Sequence, residues 1–295
     1  MSMRTFRRLT AFAAGAAALA AAFSASAQDP AERGAYLVRA GGCIACHTAK
    51  EGGEPFAGGL GLETPFGTFY SPNITPDADT GIGNWSDEDF VRALHEGVAP
   101  DGARYFPVFP YTSYTRMTRE DALAIKAYLF SLDPVSKTNR EHDVGFPFSW
   151  RFLQRGWRMI NFDEGRFEPD ASKDDAWNRG AYLVGALAHC GECHTPRNFM
   201  GGLDDDMYLA GTPDGPEGQL VPNITPHESG IGDWSERDIV NLMQTAMLPD
   251  FDSVQGTMAE AVEDGLKFLT EEDLKAIATY IRSVPPIDNE VRAAR

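Results

Sequence analysis

Cysteine is scarce in this chain. Four occur in 295 residues, all of them inside two short stretches, and no second cysteine pair accompanies either stretch. A dense disulfide framework is therefore excluded as the basis of the fold. Basic residues are also few, 26 Lys and Arg against 43 Asp and Glu, for a formal charge of −17. A field of that sign does not attract nucleic acid or an anionic lipid surface, although it suits solubility or steering toward a basic protein face. Beyond residue 27 the chain has no uninterrupted apolar run of about 18 residues, so no membrane-spanning helix is expected there.

Residues 1–27 read as a secretory signal peptide. Arg4, Arg7 and Arg8 form a basic start, "LTAFAAGAAALAAAF" an apolar middle, and Ala25-Ser26-Ala27 a small-residue cleavage site. Cleavage is expected before Gln28, with export to a bacterial periplasm. Loss of the three leader arginines takes the formal charge to −20. The remaining length suits two ordinary domains.

An internal repeat marks those domains. "RGAYLVRAGGCIACHT" (33–48) returns as "RGAYLVGALAHCGECHT" (179–195) with one residue inserted. "SPNITPDADTGIGNWSDEDFVRAL" (71–94) returns as "VPNITPHESGIGDWSERDIVNLM" (221–243), and "MTREDALAIKAYLFSLDP" (117–134) as "LTEEDLKAIATYIRSVPP" (269–286). Three matched blocks in one order predict two copies of a domain, 28–133 and 174–287. Between them lies an aromatic-rich segment, 134–173, and after them a tail, 288–295. Each copy reads as three main helices. The first runs into the cysteine motif. The second starts at Ser86 or Ser235 and the third at Thr118 or Thr270, each hydroxyl followed by acids that suit a helix N-terminus. The loops between are long and rich in Gly and Pro, more irregular chain than a compact domain usually holds. A large apolar group is expected to complete each core.

Cys43-Ile44-Ala45-Cys46-His47 and Cys190-Gly191-Glu192-Cys193-His194 supply the reason. Cys-x-x-Cys-His is the attachment signature of c-type haem: two thiols add to the haem vinyl groups, and the adjacent histidine reaches the iron. A structural zinc site needs four ligands, and these motifs have no second cysteine pair. A redox dithiol calls for a βαβ setting that the pattern lacks, while two plain disulfides remain the bland alternative. Two occurrences inside repeated helical domains favour two covalently bound haem c groups, on Cys43 and Cys46 and on Cys190 and Cys193, with His47 and His194 as axial ligands.

The stretches "RGAYLV…CIACHT", "SPNITPD…TGIGNWSDEDF", "WNRGAYLVGALAHCGECHTPRN" and "GTMAEAVEDGLKFLTEEDLKAIATYI" together resemble class I cytochrome c domains in tandem. They are most similar to the multihaem cytochrome subunits of bacterial membrane-bound alcohol, gluconate and aldehyde dehydrogenases. The resemblance implies an all-α fold of two such domains with haem-wrapping loops. It also implies electron transfer from a periplasmic or membrane-bound dehydrogenase to an oxidase, quinone or small cytochrome, with no catalysis on the chain itself. Subunits of that kind usually carry three haems; the motif occurs twice here.

Redox cytochromes commonly use methionine as sixth ligand, because the thioether raises the potential. Met258 stands in the loop before the last helix, where the resemblance places that ligand. In the first repeat related subunits often read Met where this chain has Phe109, which cannot bind iron. Met117 is the methionine left in that loop, set against a packing role at the helix start, since Leu269 occupies the matching place. His95, expected at the surface of the second helix, and His142 are distant reserves. Trp85 and Trp234, each one residue before a helix N-cap, are candidates for the haem edge, or for plain core packing. Asn73 and Asn223, in the repeated "PNITP", are candidate braces of the haem-side loop, or simple turn residues.

The segment "FPFSWRFLQRGWRMINF" (146–162) is expected to bury its aromatics as a brace between the domains, with a docking face or a membrane contact as sharper alternatives. The rival to a dedicated electron carrier is a dihaem peroxidase-like enzyme with an open iron at the first haem, which Phe109 would permit.

Overall fold

The computed structural model describes residues 29–292. The expected leader and its cleavage point before Gln28 lie outside those residues, as do positions 293–295 of the tail. In the first repeat, helix α1 (Pro30–Ala40) starts with the Asp29 carboxylate accepting from the Ala31 N–H and with proline at its first position. A short turn, α2 (Cys43–Cys46), follows at once. The long loop then pauses in a hairpin of β1 (Gly61–Thr64) and β2 (Gly67–Tyr70). Helix α3 (Asp87–Glu96) opens on a capping box between Ser86 and Asp89. The turn α4 (Tyr111–Tyr114) precedes α5 (Arg119–Phe130), whose N-cap Thr118 accepts from the Asp121 N–H.

The connecting segment adds a strand, β3 (Asp143–Val144), to the edge of β2 and then forms α6 (Gln154–Asn161). The second repeat begins with α7 (Asp175–Tyr182), which continues as a π-helical turn, Leu183–Leu187, before α8 (Gly191–His194). That π-turn absorbs the one residue by which the second copy of the motif region exceeds the first, because an i→i+5 turn holds the extra residue without ending the helix. Helix α9 (Glu236–Thr245) has its own capping box, Ser235 with Asp238. Helix α10 (Gly256–Asp264) occupies what reads as loop in the sequence, and α11 (Glu271–Ile281) starts at the expected Thr270. The chain is mainly helical, but the three-stranded sheet and the additional helices depart from a plain all-α, three-helix domain.

Each repeat is closed by the packing of its first helix on its last, α1 on α5 and α7 on α11. Glycine permits the approach. A Cβ on Gly34 would stand 1.9 Å from the Ala124 carbonyl oxygen, and one on Gly180 2.0 Å from that of Ala276. Around these crossings Leu37, Val38, Ile125 and Leu129 in one repeat, and Leu183, Val184, Leu274 and Ile277 in the other, are fully enclosed.

The two repeats lock together by exchange. Arg33 binds Asp121 within the first repeat, its Nε donating at 2.8 Å. Arg179 binds Asp273 within the second, through Nε at 2.8 Å and Nη2 at 2.7 Å. The tyrosines cross over: the Tyr36 hydroxyl donates to Asp273 Oδ2 at 2.6 Å, and the Tyr182 hydroxyl donates to Asp121 Oδ2 at 2.6 Å. Each tyrosine oxygen also accepts from a helix N-cap of the other repeat, Thr270 N–H to Tyr36 and Thr118 N–H to Tyr182. Burial works against charge on Asp273, but the bonds from Arg179 and Tyr36 outweigh it and hold the carboxyl below its ordinary range. A pseudo-twofold axis between the repeats accounts for all of these pairs.

Two expectations are corrected. His95 is not at the surface: it is 3% exposed, at the bottom of a cleft that Arg92, Thr118, Arg119 and, from the connecting segment, Arg166 also line. Conversely, the aromatic run of the segment is not buried. Phe146 is 74% exposed, Met159 87% and Ile160 71%. The segment does bridge the repeats, with Arg158 donating to the Glu96 carbonyl on one side and Trp157 Nε1 to the Met200 carbonyl, 2.8 Å, on the other. Phe148 packs on Phe66 and Phe162 on Tyr111, while Phe146, Trp150, Phe152, Met159 and Ile160 are left exposed.

Burial, with Arg166 adding repulsion, pushes the His95 imidazole down to about 4 from 6.5. As pH falls through 6.5 the unfolded chain takes up a proton that the folded chain refuses until about 4, so stability is present above that window and lost across it. Thermal melts at pH 7.5 and 4.5 are expected to show a His95 contribution on the order of 3 kcal/mol. His95→Leu should reduce the pH dependence by that amount; an unchanged dependence would mean that His95 takes up its proton in the fold.

Candidate haem-binding site

The two cysteine motifs sit directly after α1 and after the π-turn that ends α7, so the crossing of first and last helices positions both. In each motif the cysteines lie one helical turn apart, with the histidine next in line. His47 Nδ1 is 2.8 Å from the Pro72 carbonyl oxygen, and His194 Nδ1 is 2.9 Å from that of Pro222. A carbonyl only accepts, so Nδ1 must carry the proton and the Nε2 lone pair is free in both rings. Burial also lowers the pKa of both imidazoles, which keeps them neutral, the form that binds a metal.

The thiols behave consistently. All four cysteines are free, and burial pushes Cys43 and Cys190 up to about 12 and Cys193 to about 11. A redox dithiol depends on a lowered thiol pKa, so the environment opposes that alternative. Among the described residues no group of three or more His, Cys, Asp or Glu gathers as donors for a metal ion such as zinc. Paired thiols on one turn, unbridged, beside an oriented neutral imidazole, fit covalent attachment of a haem with one histidine on its iron.

Behind each histidine stands an asparagine. The Asn73 Oδ1 accepts from the Thr75 N–H and hydroxyl at 2.9 and 2.7 Å, and its Nδ2 donates to the Val135 carbonyl at 2.7 Å. Asn223 repeats this with the Thr225 N–H and hydroxyl, both at 2.8 Å, and with the Ile287 carbonyl, also at 2.8 Å. Each asparagine thus pins the loop carrying the Pro72 or Pro222 carbonyl to the chain leaving the last helix. Trp85 and Trp234 are half-buried against the core, and their indole N–H groups have no hydrogen-bond partner among the described residues, unlike those of Trp157 and Trp177.

The sixth-ligand candidates are placed differently. Tyr105 N–H donates to the Gly97 carbonyl and Val254 N–H to that of Ala246, at 2.8 and 2.9 Å, so these turns correspond. Four residues on from each stand Phe109 and Met258. Met258 is half-buried and lies in α10 rather than in a loop. Phe109 packs edge-on against Tyr105 and Tyr114. Met117 is enclosed in the apolar core, as is its counterpart Leu269. His95 is buried at the far end of α3, and His142 is exposed with Nδ1 accepting from the Tyr70 N–H at 3.1 Å.

The two motifs also meet across the interface. Thr112 and Ser113 of α4 donate to Glu192 Oε1, between Cys190 and Cys193, at 2.6 and 3.0 Å. The Tyr114 hydroxyl donates to the Gly41 carbonyl at 3.0 Å while its ring lies 5.5 Å from His189, just before Cys190. In return α10 packs on α2, and Lys50 pairs with Glu260 at 3.1 Å. Sequence reasoning missed Glu192, Tyr114 and His189. The signal was there for Glu192 alone, as a carboxylate inside one motif where the other has Ala45.

Asn223→Ala is expected to destabilise the haem-loaded protein by about 2 kcal/mol, since it strands buried partners on Thr225 and Ile287. Thermal unfolding checks this; an unchanged melting temperature would show that the loop holds the Pro222 carbonyl without the amide.

Comparison with known proteins agrees with this geometry. The Cytochrome c family matches the chain twice, over residues 31–133 and 178–285. The chain is 43% identical over 265 residues to the fructose dehydrogenase cytochrome subunit of Gluconobacter japonicus, covering 88% of this chain and 54% of that protein. It is 42% identical over 268 residues to a diheme cytochrome c-type of Cereibacter sphaeroides, covering 88% and 87%. With the gluconate 2-dehydrogenase cytochrome c subunit of Pantoea cypripedii it shares 41% over 276 residues, covering 89% and 62%. The chain thus spans little more than half of two of these relatives and most of the third. Two matched segments, each with an intact attachment motif, make this chain a member of the cytochrome c family with two tandem domains, an electron-transfer protein.

Proposed function

We propose that the chain is an exported dihaem cytochrome c, acting in the periplasm, that takes electrons from a partner dehydrogenase and passes them to the respiratory chain through an oxidase, quinone or small cytochrome. The observation that carries this reading is one hydrogen bond made twice: in both repeats a proline carbonyl holds the motif histidine with its Nε2 free. The names of the relatives, as cytochrome subunits of fructose and gluconate dehydrogenases, support a dehydrogenase as donor.

One haem is assigned to Cys43, Cys46 and His47 and the other to Cys190, Cys193 and His194. The chemistry that a bound haem supplies is the one-electron couple of its iron. The chain orients the histidines, excludes water with its apolar core, and brings the two attachment motifs together across the Tyr–Asp interface. Met258 is assigned as sixth ligand in the second repeat. In the first, Met117 is the candidate, against the packing role that its counterpart Leu269 supports. The unpartnered indoles of Trp85 and Trp234 are assigned to haem propionates, which accept hydrogen bonds. Among the described residues no helix is long and apolar enough to cross a membrane.

One observation favours a second reading. Phe109 stands in the first repeat where Met258 stands in the second, which would leave the first iron open to a small ligand in the manner of a dihaem peroxidase.

A pyridine haemochrome assay on holoprotein is expected to count two haems. The far-red sulfur-to-iron band should weaken in Met258→Ala and again in Met117→Ala. A band untouched by Met117→Ala, with ready carbon monoxide binding by the ferrous protein, would contradict two His/Met centres and favour the open iron.

A further inference from the structure

An exposed apolar surface runs along the connecting segment and onto the second repeat. Phe146 and Trp150 stack edge-on at 4.9 Å, and Trp150 and Phe152 lie 5.3 Å apart. Met159 and Ile160 project from α6. Beside them stands Phe199, 92% exposed, in a turn that Asn198 ties to Asn161 at 2.9 Å and Trp157 ties through the Met200 carbonyl. A contiguous cluster of large side chains this open marks an interaction site.

The cleft beside it is basic on balance, in a chain of net charge −17. Arg104, Arg155 and Arg158 line a cleft of about 460 Å³ with Met159, Phe162 and Glu164. Glu164 is paired with Arg166. Two arginines of this face are held in place: Arg151 donates to the Arg104 carbonyl at 2.7 Å and stacks on Phe106, and Arg158 stacks 4.3 Å from the Phe162 ring centre. From 138 to 172 the chain has five arginines and six Asp and Glu, and three of those arginines, 151, 155 and 158, fall within the aromatic run. Aromatic, Met and Arg side chains together are those enriched in a protein interface core. A lipid surface would accept lysine equally, and the acidity of the whole chain opposes an anionic bilayer.

The place of this surface is informative. Phe199 follows His194 by five residues, and Arg197 in between anchors Glu192 at 2.7 Å. A partner seated here stands beside the second attachment motif.

We propose that this surface docks a redox protein partner that presents an apolar patch rimmed by carboxylates, and that electrons cross there at the second haem. The proposal rests on the electron-transfer function above, which makes the partner the donor dehydrogenase.

The test places p-benzoylphenylalanine at 159 or 199, or at 251 as an exposed control in the second repeat, in the full chain in its native cells, with adducts identified by mass spectrometry after irradiation. Positions 159 and 199 are expected to capture one flavin- or quinone-bearing dehydrogenase, and 251 not. That enzyme, purified, should reduce the holoproteins carrying Met159→Ser, Phe199→Ser or Arg155→Glu about ten-fold more slowly than wild type. Reduction by ascorbate should be unchanged in all of them, and Phe251→Ser should behave as wild type. Capture of a protein without a redox cofactor would leave the surface standing and overturn the dehydrogenase donor. Equal capture at 251, unchanged reduction rates, or binding of wild type but not Phe199→Ser to vesicles of equimolar phosphatidylglycerol and phosphatidylethanolamine would overturn the docking surface itself.

Discussion

The structure depends on one close contact made twice, the crossing of a repeat's first helix over its last at a glycine. Gly34 against Ala124 and Gly180 against Ala276 let two backbones touch where any side chain would hold them apart. That contact fixes the direction in which the first helix points, and hence where the cysteine motif that follows it must lie. It also brings Arg33 to Asp121 and Arg179 to Asp273 at the N-termini of the last helices. A larger residue at either glycine would displace the motif and its ion pair together.

The same carboxylates then serve a second purpose. Each accepts an arginine from its own repeat and a tyrosine from the other, so separating the domains breaks both tyrosine–carboxylate hydrogen bonds. Because the tyrosines come from the helices that lead into the cysteine motifs, the interface forms where the motifs are. Glu192 under Thr112 and Ser113, and Tyr114 between Gly41 and His189, extend the contact into the motifs themselves. A flexible tether between two carriers would need none of this. The arrangement suits electrons that move between two fixed sites.

Much of this was legible in the sequence because it is local. The four N-cap residues Ser86, Thr118, Ser235 and Thr270 are fixed by chemistry within three residues, and the Cys-x-x-Cys-His motifs within five. What escaped is long-range. Nothing near Tyr36 in the sequence points to Asp273, 237 positions away, which accepts a hydrogen bond from its hydroxyl. His95 reads as a surface residue, yet residues of α3, the start of α5 and the connecting segment enclose it. The aromatics of 146–162 read as core because their composition is that of a core; only the fold reveals that Phe146, Trp150 and Phe152 face outward. Met258 is in helix rather than loop because the second repeat has three more residues than the first between the corresponding turn and the last helix.

The central claim is that the two repeats act as one rigid pair of haem domains joined at their attachment motifs. The direct measurement is the rate at which an electron, placed on the holoprotein by flash photoreduction, redistributes between the two haems. A redistribution that is fast and independent of protein concentration is predicted, with Tyr36→Phe combined with Tyr182→Phe slowing it. A rate proportional to protein concentration would mean that electrons pass only between molecules, and would contradict the account.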